Sequence, residues 1–199
     1  MKYILIAIGM ILLSGCTTIN SPITEYRIEA NTFKGEIDVV DGCKDKSLKV
    51  AQAFSSNALM SLRMDYAQPS SRIFSYSESL WRESPNHSVT QQMVKVIRDS
   101  NLFKDVQTSK SRSRNNWILE TTVEDFMQYF SDDLKESHVN VAISVTLVDI
   151  KTSSVIATNT FSSKIKSKTL DAKGGVEALN SALSIVLQQN IEWLNGVCK

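Results

Sequence analysis

Hydrophobic and polar residues alternate strictly over one long stretch in the second half of the chain. The apolar positions are Val139, Val141, Ile143, Val145 and Leu147, with polar or small residues between them. This period of two predicts a strand with one buried face. A tight turn at 149–153 and a second apolar series over 155–165 follow. We therefore expect an antiparallel hairpin or meander here.

Other segments predict further strands. The stretch 117–129 predicts a long strand, and its apolar parity slips by one near Asp125–Phe126, as a β-bulge would cause. Short strands are expected at 25–29 and around Leu48, Val50 and Phe54, after a loop over 31–46. Segments 63–68 and 72–80 predict a hairpin interrupted at Pro69-Ser70-Ser71.

Two segments show the helical period instead. After Pro85, which suits an early helical position, Val89, Met93, Val96 and Ile97 recur on one helical face. Near the C-terminus a wide apolar stripe runs from Val176 to Leu194, and Gly174-Gly175 is expected to break the chain before it. We predict an α+β fold: a two-layer sandwich of a mostly antiparallel sheet with two main helices packed on one face.

The N-terminus predicts export. Lys2 precedes an apolar run to Leu13, too short for a membrane-spanning helix and typical of a signal peptide. Leu13-Ser14-Gly15-Cys16 resembles the lipobox of bacterial lipoproteins, which implies cleavage before Cys16 and lipidation of its thiol, with fatty acids such as palmitate. We expect a signal peptide at 1–15, a tether at 16–24 and a single domain at 25–199.

The net charge and the cysteines limit the classes of function and the bonds that the domain is expected to have. The chain has 22 basic and 21 acidic residues; loss of Lys2 with the signal peptide leaves a mature net charge of zero. A neutral domain gives no reason to expect nucleic acid binding.

Cys43 and Cys198 remain after Cys16 is lipidated. In an oxidising compartment they favour a disulfide over two unpaired thiols, although sequence alone does not decide the pairing.

Residues with catalytic potential are scattered. His87 and His138 lie on separate elements, without a further His or Cys at zinc spacing, and the common nucleophile, phosphate-binding and metalloprotease motifs are absent from the sequence. The acidic pairs Glu124-Asp125 and Asp132-Asp133 are expected on a solvated strand face and in a turn. The polar basic segment at 109–116 is expected to be a surface loop. We predict no enzymatic activity, no metal and no cofactor.

Several segments resemble the ABC-type transport auxiliary lipoprotein family, whose members include the lipoprotein of the paraquat-inducible operon. The lipobox is followed by a Tyr-containing strand, by IFSYSESLWRESP over 73–85, and by a helix leading into SNLFKDV over 100–106. Tyr76, Trp81 and Pro85 match the family's motif and have a structural or docking role there. The resemblance covers roughly residues 24–195.

The resemblance implies an accessory role in an MCE (mammalian-cell-entry) lipid transport system. Such a lipoprotein would sit on the periplasmic face of the Gram-negative outer membrane, bind an MCE-domain protein and support phospholipid traffic and envelope integrity. Strand pairing at a sheet edge and a ring of like subunits are two ways in which it could assemble. The alternative is a lipoprotein regulator of cell-wall synthesis or outer-membrane assembly. An envelope hydrolase has no supporting motif.

Overall fold

The computed structural model describes residues 22–30 and 39–199. Its strands are β1 (Thr24–Tyr26), β2 (Ser47–Val50), β3 (Phe54–Ser55), β4 (Arg63–Gln68), β5 (Arg72–Trp81), β6 (Asp105–Thr108), β7 (Trp117–Phe130), β8 (Ser137–Asp149) and β9 (Ser154–Lys166). The helices are α1 (Pro85–Asp99) and α2 (Ala172–Val197), and short 3-10 turns lie at Asp41–Cys43 and Asn57–Met60.

One nine-stranded sheet is organised around β7. One side of β7 pairs antiparallel with β8 along almost its whole length, and β8 pairs antiparallel with β9. The other side of β7 pairs in succession with the short parallel strands β2, β3 and β4. Beyond these, β6 pairs with β2, β5 with β4, and β1 with β5. The long ladders are antiparallel, which confirms the predicted α+β class.

The β-bulge expected in the long strand is present. The register of β7 against β8 shifts between Val123 and Asp125, so two residues of β7 face one of β8. This shift moves the buried side chains from odd to even positions, from Val123 to Phe126 and Gln128. The slip in apolar parity therefore located the bulge to within one or two residues.

The two helices cover one face of the sheet. In β8 every odd position from Ser137 to Leu147 is buried and the even positions are half-buried. Helix α2 packs on β8 and β9, and α1 packs beside β6 and the 3-10 turn at Asn57–Met60. The core between the layers includes the fully buried Leu119, Ile143, Leu187 and Leu194. Leu102 and Phe103, which follow α1, are also buried in it.

The structure corrects the role expected for the two glycines. Gly174 and Gly175 do not break the chain, because both lie inside the first turn of α2, which begins at Ala172. The helix is capped by Asp171, whose Oδ1 accepts from the Gly174 N–H at 2.8 Å. Both glycines are buried, because their backbone packs directly against neighbouring elements. Small size, rather than a broken helix, is what these positions require.

Two strand predictions also need correction. The first strand spans Thr24–Tyr26 and stops short of the expected Glu29, and Thr24 belongs to it rather than to the tether. The region from Leu48 to Phe54 forms two short strands, β2 and β3. The hairpin of β4 and β5 is present as predicted, and Ser70 and Ser71 at its tip have positive φ angles of 63° and 59°.

Candidate protein-binding surface

The residues with catalytic potential are not brought together. His87 Nδ1 lies 3.1 Å from Glu83 Oε2 at the start of α1, whereas His138 stacks on Tyr129 with ring centroids 5.5 Å apart on the sheet. Across residues 22–30 and 39–199, no group of three or more His, Cys, Asp or Glu side chains could hold a metal ion.

The acidic residues of β7, Glu124 and Asp125, accept side-chain hydrogen bonds from their neighbours. Asp125 accepts from the Tyr129 hydroxyl at 2.7 Å and from Asn140 Nδ2 at 2.8 Å. Burial and this bond to Asp125 raise the pKa of Tyr129. Burial, helped by the positive charge of Lys164, lowers the pKa of His138. Asp132 and Asp133 lie in the turn between β7 and β8, where Asp133 accepts from Ser131 Oγ at 2.7 Å.

The motif residue Tyr76 anchors a buried polar network. Its hydroxyl donates to Gln128 Oε1 at 2.9 Å, and Gln128 Nε2 donates to Ser137 Oγ at 2.9 Å. Gln128 and Ser137 are buried. Burial is the main cause that raises the pKa of Tyr76, so the hydroxyl keeps its proton and remains a donor. The network joins β5, β7 and β8 beneath the first turn of α2.

The other two motif residues are structural. Trp81 ends β5, is buried, and meets Phe126 edge to face with centroids 5.9 Å apart. Pro85 is the first residue of α1 and is buried too. Tyr76, Trp81 and Phe126 line one internal cavity of about 20 Å³, enough for roughly one water molecule. This cavity is too small for a lipid or another organic ligand.

The cysteines fall into two groups. Cys43 and Cys198 form a disulfide with a Cα–Cα distance of 5.3 Å, which ties the Asp41–Cys43 turn to the end of α2. The backbone at Gly42 lies against the carbonyl of Cys198, so the turn and the C-terminus are closely packed. The lipidation residue Cys16, with the signal peptide and the tether up to Ser21, lies outside the described residues.

Strand β9 offers an extended edge for binding. It is 13 residues long and pairs only with β8 within the part of the chain that the structure describes. From Ser154 to Ser163 it carries no charged side chain, and Val155 is 60% exposed. Long edges that lack charges are templates for another strand.

One side chain protects part of this edge. The N–H of Thr160 donates to Oδ1 of its own neighbour Asn159 at 2.9 Å, so it points away from β8. N–H groups on alternate residues of an antiparallel strand face the same side. The N–H of Ser162 therefore faces the open edge as well, and Ser162 itself is exposed.

No protein-family model and no curated protein matches this sequence. Solved structures do match. Protein XCC0632 from Xanthomonas campestris, described as DUF330, has a TM-score of 0.77 and 17% identity, over 87% of this chain and 95% of that one. The fold is similar to that of a DUF330 protein. An uncharacterised protein has a TM-score of 0.66 and 12% identity, over 87% of this chain and 99% of that chain.

More distant structures include bacterial lipoproteins. Lipoprotein GNA1162 from Neisseria meningitidis has a TM-score of 0.43 and 11% identity, over 76% of this chain and 99% of that one. At 17% and 12% identity, the likeness to the first two structures shows the fold alone. Within the described residues, no helix is long and apolar enough to cross a membrane.

Two residues, Gln128 in the buried network and Asn159 on the β9 edge, were not predicted from the sequence. Gln128 follows Phe126 at a buried position of β7, and a polar residue at an inward position is a signal that could have been used. Asn159 gave no such signal, because its role depends on the direction of the Thr160 N–H, which only the strand pairing decides.

Proposed function

We propose that the chain is a lipid-anchored protein of the bacterial envelope that binds a partner protein and catalyses no reaction. More specifically, we propose that the protein is an accessory component of an MCE-type ABC lipid transport system. It is held by lipid on Cys16 at the periplasmic face of the outer membrane, and it supports intermembrane phospholipid traffic.

The open edge of β9 is the observation that carries the binding role. Along this 13-residue edge strand, alternate residues present backbone donors and acceptors to a partner, and the N–H of Thr160 is already bonded to Asn159. Exposed Val155 and Ile156 add apolar contacts at the start of the strand. A strand from an MCE-domain protein, or from a neighbouring copy in a ring, would pair with this edge by β-augmentation.

Three further features support the proposal. The Leu13-to-Cys16 lipobox provides the anchor, and two acyl signals or more hold a protein stably on a membrane. The cavity beside Tyr76 has room for about one water molecule, and two larger pockets, of about 290 and 380 Å³, are open surface clefts with largely polar walls, which favours a docking role over carriage of lipid inside the domain. The scattered histidines and acidic side chains favour a binding module over a hydrolase.

The experiment is a mild-detergent pull-down of the native lipidated protein from envelopes, with mass spectrometry of the captured proteins. We expect an MCE-domain protein. Capture of penicillin-binding proteins or outer-membrane assembly factors instead would support the alternative regulatory role and contradict the transport role. A hydrolase panel on the purified protein tests the non-catalytic part, and turnover would contradict it.

The docking edge is tested at one position with two variants. Ser162→Pro removes an N–H that faces the open edge, whereas Ser162→Ala keeps it. We expect the proline variant to lose partner capture and the alanine variant to retain it, because proline is tolerated on edge strands but cannot donate. Equal capture by both variants, with both folded by circular dichroism, would show that docking does not use this edge.

A further inference from the structure

The described chain begins beside the second half of β5 and, followed back from Thr24, points toward the end of the sheet that carries the β4–β5 hairpin tip. Strand β1 runs parallel to β5, with Thr24 opposite Ser79. Pro22 and Ile23 therefore approach from the direction of Arg72, where β5 begins. Consistent with this, Pro22 lines one surface pocket together with Tyr76 and Leu170.

Large apolar side chains are exposed at this same end. Ile73 is 60% exposed and Phe74 is 41% exposed beside the hairpin tip. Leu134, in the turn between β7 and β8, is 44% exposed, and Leu170, just before α2, is 46% exposed. We call these four residues the apical patch. They share one end because β4 and β7 run parallel and both finish there.

Aromatic stacking holds part of the patch in place. The ring of Tyr66 lies 5.7 Å from that of Phe74 and 5.3 Å from that of Phe130, centroid to centroid. The ring of Tyr76 lies 4.6 Å from that of Tyr66 and is tilted by 40° to it. The cluster connects the exposed hairpin tip to the body of the sheet, so the tip is a supported surface.

The anchor limits how far this end can be from a membrane. Six residue steps separate Cys16 from Pro22, which span at most roughly 20 Å when fully extended. The acyl chains on Cys16 lie in the bilayer. Pro22 lies beside Leu170 and about five residues of β5 from Arg72, so the hairpin-tip end of the sheet is within reach of the headgroups, whereas the end that carries Val155 is farther from the anchor.

We propose that the apical patch is a membrane-contact surface that enters the interface of the bilayer holding the Cys16 lipid. This inference rests on the lipid anchor of the proposed function but not on its transporter partner. Exposed apolar patches mark interaction sites, and apolar side chains shallowly buried among headgroups strengthen attachment that a lipid begins. The surface orients the domain with the hairpin tip toward lipid.

Charges around the patch favour apolar contact over recognition of an anionic lipid. Basic and acidic side chains are mixed there, and Lys166 Nζ lies 2.6 Å from Glu136 Oε1. Arg72 and Lys135 are exposed nearby, as is Asp132. We therefore expect contact with vesicles of phosphatidylethanolamine and phosphatidylcholine as well as with vesicles containing phosphatidylglycerol.

The test places a reporter at each end of the sheet in the full lipidated protein. Ile73→Trp puts a tryptophan in the apical patch. Val155→Trp is the matched control, because Val155 is also 60% exposed but lies at the start of β9, at the opposite end. Both proteins are reconstituted in vesicles containing bromolipid, which quenches tryptophan near the acyl chains. The three native tryptophans give a background measured with the unsubstituted protein.

We expect quenching above that background to be at least about twofold greater for Ile73→Trp than for Val155→Trp, in both vesicle types. Equal or absent quenching in protein whose intact mass shows the acyl chains would overturn the apical patch and leave the proposed function standing. If the reporter is shielded in a way that depends on protein concentration and not on bromolipid, the patch contacts a second copy of the chain, which would also overturn the proposed membrane contact. If the intact mass shows no acyl chains, both the lipid anchor on Cys16 and the membrane contact of the apical patch would be contradicted.

Discussion

Gly175 gives the sharpest test of how α2 is seated on the sheet. A Cβ at this position would overlap Oε1 of Gln128 and lie 2.8 Å from its Cδ. That amide is buried and cannot move freely, because it accepts from the Tyr76 hydroxyl and donates to Ser137 Oγ. Gly175→Ala must therefore break this network or lift the first turn of α2.

The expected cost follows from two opposing effects. Displacing the amide leaves buried polar groups without partners, at about 1–3 kcal/mol, and overpacking adds about 1–3 kcal/mol. Alanine is favoured over glycine in a helix by about 1 kcal/mol. We expect a net loss of about 1–5 kcal/mol in the free energy of unfolding, measured by urea denaturation. The Tm should fall by about 2–20 °C.

The same helix supplies the control. Gly196 is exposed in the last turn of α2, and a Cβ there would meet nothing within 4 Å. Gly196→Ala should be neutral or stabilise the protein by about 0.5 kcal/mol. In a Gln128→Ala background the effect of Gly175→Ala should nearly vanish, because its clashing partner is gone. If Gly175→Ala is as stable as Gly196→Ala, the close packing described here is wrong.

Other predictions concern the disulfide, the helix cap and a histidine. Reduction of the Cys43–Cys198 bond, which spans 155 residues, should lower the free energy of unfolding by up to about 5 kcal/mol; no change in Tm with reductant in the wild type would contradict this. Asp171→Ala should cost about 0.5–2 kcal/mol at pH 7, while Asp171→Asn should cost less, since Asn also caps helices. Bonds from Thr169 and from the Gly174 N–H lower the pKa of Asp171 in the folded state. The cap's charge-dependent stabilisation is therefore present above pH of about 4 and lost as the pH falls through the folded pKa; a cost of Asp171→Ala that does not shrink in acid would refute this. His138 should titrate below 6.5 by NMR, and Lys164→Met should raise its pKa by removing a nearby positive charge. Between the folded pKa and the unfolded value of about 6.5, the unfolded state binds more protons than the folded state. The contribution of His138 to stability is therefore lost as the pH falls from about 6.5 through the folded pKa.

The regular patterns of the sequence were sufficient for most of the elements. Strict alternation in β8, the slip of parity in β7 and the helical periods of α1 and α2 predicted where the long elements lie. Each of these patterns is formed by the side chains of a single segment, so the segment's own sequence is enough to recognise it. Short strands such as β2 and β3 lacked enough residues to show a period, and they exist because β7 provides an edge for them.

The glycines show the limit of local reasoning. In a sequence, Gly174-Gly175 has the composition of a helix breaker. In the fold both lie within α2, because Asp171 caps the turn and the backbone must approach Thr169 and Gln128 more closely than any Cβ allows. Gly174 is required by a contact with nearby Thr169, whereas Gly175 is required by a contact with Gln128, 47 positions away along the chain.

What the sequence determined by itself is the class of the fold, its long elements and the expectation of an exported, lipid-anchored chain. These depend on local period and composition. Only the tertiary structure decided which edges stay open, how Tyr76 is joined to Ser137 through Gln128, and which end of the sheet carries the exposed apolar residues. Those features arise from strand order and register, which bring distant segments together and which no single segment encodes.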